Sequence, residues 1–110
     1  EVYNHTISVY VQNPVPGFLY VCVVGPVVEE MLMRGFVQAG LQSRYGVIAG
    51  WILSAVLFAL MHMNLLQGIT TLVIGLVLGH LYIHTGSLFA CMLMHGLYNA
   101  VAFLLSVLLS

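Results

Sequence analysis

The chain has 110 residues, 62% of them hydrophobic and 5% charged, with a net charge of −1, so it holds one domain at most and is not a water-soluble globule. Two basic residues give no electrostatic footprint for nucleic acid and no polybasic segment for lipid headgroups, which excludes nucleic-acid binding. The composition is that of an integral, multi-pass membrane protein, and in lipid a chain of this kind satisfies its backbone as helices, an all-α bundle.

Residues 1–16 mix polar and β-branched side chains and are expected to form a polar lead or interfacial segment, with Asn13-Pro14 and Pro16-Gly17 as turn signals. Asn4-His5-Thr6 fits the glycosylation pattern, one that is frequent by chance. The first residue is Glu1 rather than Met and no signal-peptide pattern follows it, as expected of a processed form or part of a longer protein. Residues 17–110 read as one transmembrane core of about four helices. The first span runs from Phe18 to about Gly40 and carries Pro26 in its interior, and the polar link Gln42-Ser43-Arg44 follows. The second runs from about Tyr45 to His62 with Gly46 and Gly50 as a close-packing face, and the third from Leu65 to about Ile83 with Gly75 and Gly79 in the same arrangement. Thr85-Gly86-Ser87 turns the chain into the fourth, Leu88 to Leu109, and short links throughout predict antiparallel neighbours. Arg44 favours the first link as the cytoplasmic side. Cys22 and Cys91 fall inside spans and match no metal spacing, so they are expected to pack.

Three of the five formal charges lie in Glu29-Glu30-Met31-Leu32-Met33-Arg34, within a run that is otherwise apolar from Phe18 to Val37. A charged side chain at bilayer depth costs on the order of 3 kcal/mol, which makes such residues functional-site candidates with a partner to be found. Glu30 and Arg34 are four apart with the acid N-terminal, so they form a structural pair on one helix face. Glu29 then projects about 100° away, towards whatever packs against this helix.

Few other strong hydrogen-bonding groups lie in the spans: His62, His80, His95 and Asn99, with a few hydroxyls and a glutamine. Counted at about 1.5 Å per residue with alternate spans reversed, Glu29, His62, His95 and Asn99 fall in one layer. His95 and Asn99 share a face, as do Phe58 and His62. A carboxylate desolvated among apolar neighbours is a competent general base near neutral pH, and a nearby imidazole shares the proton of the attacking water. That role falls to Glu29 with His62. An imidazole N–H from His95 and the amide of Asn99 are suited to a developing oxyanion. The set points to amide hydrolysis within the membrane, without a Ser-His-Asp arrangement or a cysteine nucleophile. Glu29, His62 and His95 are also a zinc-type donor set, ranked below the metal-free chemistry. His80 and His84 are expected to pack, and the six methionines either fill the core or line an acyl or prenyl groove.

Glu29-Glu30-x-x-x-Arg34, Phe58-x-x-x-His62 and His95-x-x-x-Asn99, in that order, with Gly35 after the Arg and Tyr82-x-x-Thr85-Gly86-Ser87-Leu88 before the last motif, resemble the motifs of the CAAX prenyl protease and bacteriocin-processing family (CPBP, or ABI). The resemblance covers roughly residues 20 to 105. It implies a multi-spanning glutamic-type intramembrane endopeptidase, with Glu29 and His62 activating water, His95 and Asn99 at the oxyanion, and Glu30 and Arg34 as the structural pair. Members usually have about eight spans, so the chain would correspond to the catalytic core without its flanking helices. The implied partners are membrane lipids and a prenylated or membrane-embedded peptide. In the alternative, a non-catalytic accessory subunit or bacteriocin-immunity protein, the polar core is interhelical glue and the partners are subunits of a larger membrane assembly. A proton relay along the acid and histidines is a third reading.

Overall fold

The computed structural model describes residues 12–62 and 64–109, with residues 5, 8 and 9 of the segment before them. Asn4 and Thr6 of the glycosylation triplet, and Met63, lie outside the described residues. Secondary structure among the described residues is entirely helical. Helix α1 spans Pro14–Tyr45, α2 Val47–Leu60, α3 Leu65–Thr85 and α4 Leu88–Leu109. Three of them, α1, α3 and α4, are long and apolar enough to cross a membrane. Together they form an all-α membrane helical bundle.

The helix boundaries differ from the expected spans in three places, each for a local reason. Helix α1 starts at Pro14, inside the expected polar lead, because a proline in the first turn has no intrahelical N–H to lose and Pro14 and Pro16 both fall there. At its other end α1 stays helical through Gln42-Ser43-Arg44, and the chain reverses at Gly46 instead, whose φ of 97° lies in the left-handed region. Gly50 then packs onto the end of α1 so closely that a Cβ there would stand 2.5 Å from the Gln42 backbone nitrogen. The second helix is consequently short. Its 14 residues cover about 21 Å against a hydrocarbon core of about 30 Å.

The remaining ends are capped as their sequences dictate. Asn64 caps α3 by accepting from the Gln67 N–H at 3.0 Å. Gly86, at φ 63°, closes α3 with its N–H on the Tyr82 carbonyl. Ser87 Oγ accepts from the Ala90 N–H at 3.1 Å and starts α4.

Side-chain burial is inverted relative to a soluble domain. Phe36, Leu97 and Leu108 are exposed on the outside of the bundle, whereas Glu30, Arg34 and Gln38 are at most 1% exposed. Apolar side chains gain nothing by leaving lipid, so helix association here rests on close packing and hydrogen bonds between helices. Cys22 and Cys91 are free and buried, and the Cys91 thiol faces the Leu78 carbonyl at 3.5 Å.

Candidate functional site

The site begins with an irregularity in α1. Tyr20–Val24 and Met31–Gln38 are wound as π-helix, flanking the proline turn Gly25–Glu30. The Gly25 N–H reaches back five residues to the Tyr20 carbonyl, and Pro26 has no N–H to give. The Val21 carbonyl is therefore left without the N–H of either residue. Asn99 of α4 supplies the missing donor: its Nδ2 lies 2.9 Å from Val21 O. One turn before Asn99, Gly96 lets the backbones meet, since a Cβ there would stand 2.7 Å from the Cys22 carbonyl. This contact brings His95 against the two glutamates.

His95 is 5% exposed and bridges both carboxylates. Its Nδ1 lies 2.7 Å from Glu30 Oε2, and its Nε2 lies 3.6 Å from Glu29 Oε2. Glu30 also faces Arg34, with Oε1 3.4 Å from Nε. The sequence reading paired Glu30 with Arg34 alone; Glu30 holds His95 as well. Arg34 continues the chain of contacts by donating from Nη2 to the Gly75 carbonyl at 2.8 Å. One turn on, Gln38 Nε2 donates to the Gly79 carbonyl at 3.1 Å. Trp51 Nε1 adds a bond to the Leu76 carbonyl at 2.8 Å. The glycines read as close-packing positions are thus also the places where α3 presents carbonyls to α1.

His62 lies just beyond the end of α2, not within a span that reaches it. Its Nδ1 is 2.9 Å from the Phe58 carbonyl, one of the acceptors that the last turn of a helix leaves open. With the carbonyl accepting, Nδ1 carries the proton and Nε2 keeps its lone pair. The Phe58 ring, 5% exposed, sits edge-on to both His62 and His95 and 5.5 Å from the Arg34 guanidinium carbon.

A cavity of about 530 Å³ opens between α3 and α4, and Glu29, Phe58, His62, His95 and Asn99 all line it. Glu30 and Arg34 stand behind its wall. Gln67, Thr70 and Thr71 of α3 face Tyr98 and Ser106 of α4 across the same space. From the sequence these stand only among a few hydroxyls and a glutamine, none singled out, and Trp51 does not stand out at all. Gln38 did carry a signal, standing four residues after Arg34 as Arg34 stands four after Glu30. None of the described methionines lines the cavity: Met33 is buried, and Met31, Met61 and Met94 are exposed. His80 and His84 lie against each other with ring centroids 4.2 Å apart and the rings tilted by 57°, away from the cavity. Among the described residues no three His, Cys, Asp or Glu side chains are arranged to hold a metal ion.

The sequence pattern of the family described as "Type II CAAX prenyl endopeptidase Rce1-like" matches residues 11–101. No curated protein and no solved structure matches the chain.

Proposed function

The chain belongs to this Rce1-like family and is a CAAX-protease-like integral membrane protein; from that premise we propose that it is a multi-pass, metal-free endopeptidase acting within the membrane on a prenylated peptide. The observation that carries the reading is the convergence of Glu29, His62, His95 and Asn99, from two helices and a turn, on one cavity large enough for a ligand.

In the proposed reaction a water held between Glu29 and the free Nε2 of His62 gives up a proton to this pair. Its oxygen bonds to the carbonyl carbon of the substrate, whose π electrons move onto oxygen. Two donors meet that oxyanion. An amide NH₂ has two hydrogens, and Asn99 commits one to Val21 O and keeps the other for the cavity. His95 donates its Nδ1–H to Glu30 Oε2, so it also donates from Nε2 when the ring carries both protons. The charges of Glu29, Glu30, Arg34 and a doubly protonated His95 then sum to zero. The C–N bond breaks as the proton taken from water passes to the leaving nitrogen, giving a carboxylic acid and an amine. Glu30 and Arg34 take no part in bond making; they hold His95 through its other nitrogen, as the outer partner of a functional histidine does.

The test is cleavage of a quenched, farnesylated CAAX peptide by the purified protein in detergent. A Glu29→Gln substitution is expected to lower kcat by about 10³-fold or more, within reach of what a general base contributes, and a chelator is expected to change nothing. Full activity in Glu29→Gln would refute the assignment, and loss of activity with the chelator would refute the metal-free chemistry.

A further inference from the structure

Helix α3 carries a second, unassigned polar surface. Gln67, Thr70 and Thr71 are spaced so that they share one helix face, and all three line the cavity, opposite Tyr98 and Ser106 of α4. Thr70 Oγ1 and Ser106 Oγ donate to carbonyls of their own helices, at 3.0 Å each, which leaves their oxygens able to accept. The side chains of Gln67, Thr71 and Tyr98 make no hydrogen bond among the described residues. In α1 the buried glutamine, Gln38, is bonded to a neighbouring helix. The group around Gln67 stands out because its partners are missing.

We propose that this face, centred on Gln67 and Thr71 with Tyr98 opposite, is a binding site for the main chain of an extended peptide segment. The inference deepens the peptidase reading and rests on it. A peptide bond in a helix has its N–H and C=O engaged, so a substrate must be unwound around the bond that is cut. Each main-chain group so released costs several kcal/mol in apolar surroundings unless it is paired. An amide side chain offers both a donor and an acceptor, and hydroxyls offer the same, so the face matches main-chain groups of either polarity irrespective of the peptide's side chains. The length fits as well. From Gln67 to Ile74 the lined face of α3 runs about 10 Å, and from His95 to Ser106 that of α4 runs about 16 Å. At about 3.3 Å per extended residue this holds roughly three to five residues, with Glu29 and His95 at one end.

The experiment uses the farnesylated peptide and a series of it carrying one N-methyl group on each amide flanking the scissile bond. Wild type, Gln67→Leu and Thr71→Val are compared for KM and kcat. Each substitution is expected to raise KM about tenfold while kcat stays within about twofold, the size of one lost hydrogen bond with a polar ligand group left unpaired. At one N-methyl position the wild type loses about as much, and the variant loses nothing further. Unchanged KM in both variants overturns the inference and leaves the peptidase reading intact, as do effects of N-methyl and substitution that simply multiply at every position. If the wild type does not turn the peptide over, the peptidase reading fails, and anisotropy of the fluorescently labelled peptide reads the face alone. Binding weakened by both substitutions then supports the face, and binding absent or unaffected overturns it. A Gln67→Leu protein that fails to fold leaves Thr71→Val to carry both readouts.

Discussion

Around Arg34 and Gln38, polar side chains from α1 end on carbonyls of α3, with Arg34 on Gly75 and Gln38 on Gly79. At the other end of the same helix, the side chains of Gln67 and Thr71 face a cavity and end on no described group. Residue types alone do not separate the two regions, since each has an amide and further hydrogen-bonding groups in an apolar setting. The difference lies in what stands opposite each group. Gly75 packs against Ala55 of α2 and Gly79 against Trp51 and Gln38, and there a donor from α1 reaches a carbonyl of α3 and holds two helices in one geometry. Across the cavity the same kind of group is left to pair with whatever enters. Glu30, Asn99 and His95 stand between the two regions and belong partly to each.

The largest effect of breaking the closed region is expected from Arg34→Met. It removes the bond to Gly75 and leaves the Glu30 carboxylate, at 0% exposure, without its guanidinium. Removing one partner of a buried pair costs about 3–5 kcal/mol. Unfolding by a titrated anionic detergent should show that loss, and peptide cleavage should fall with it because Glu30 also positions His95. A variant as stable as the wild type would mean that the closed region does not hold the bundle together.

Asn99→Ala acts at the boundary and should separate its structural bond from its proposed catalytic role. It leaves Val21 O without a donor, a cost of about 1–3 kcal/mol, and takes away the proposed oxyanion donor, for an expected loss of about 10²-fold in kcat. If stability falls and kcat, measured on the folded fraction, does not, Asn99 belongs wholly to the closed region.

The boundary is also where reading from the sequence reaches its limit. Hydropathy and turn residues place α3 and α4 well, because Asn64, Gly86 and Ser87 act locally and their caps form wherever the rest of the chain lies. The ordered polar motifs likewise single out Glu29, His62, His95 and Asn99, which line one cavity; the count along each helix that suggests a common depth needs no contact to be known. Which atom meets which does not follow from that count. It depends on helix phase, and the π-helical turns on either side of Pro26 shift the phase of α1, so that Glu30, not Glu29, makes the short contact to His95. The same turns orphan the Val21 carbonyl, which no spacing in α4 announces as the partner of Asn99. The brevity of α2 had a similar origin, because Gly46 looked like a packing glycine and is the turn.

Gly96→Ala probes how that boundary is held. Its Cβ would stand 2.7 Å from the Cys22 carbonyl, a backbone atom that cannot swing aside, so α4 must shift away from α1. An overpacked contact of this kind costs about 1–3 kcal/mol, and His95, the adjacent residue, moves with it. Cleavage should therefore fall more than stability does, because a small displacement of a positioned group is felt most in the chemistry. Equal falls in both would show that the close approach serves only to pack the helices.

The smallest effect is expected at His84. It lies against His80 at the exposed end of α3, away from the cavity. The imidazole pair resembles the polar groups of the site in composition, but it meets the closed region only where the His80 ring faces Trp51. His84→Gln should leave stability within about 0.5 kcal/mol and both KM and kcat unchanged. A change in cleavage without a change in stability would extend the open region to the far end of α3, and the division between groups that hold helices and groups that await a ligand would have to be redrawn around that end.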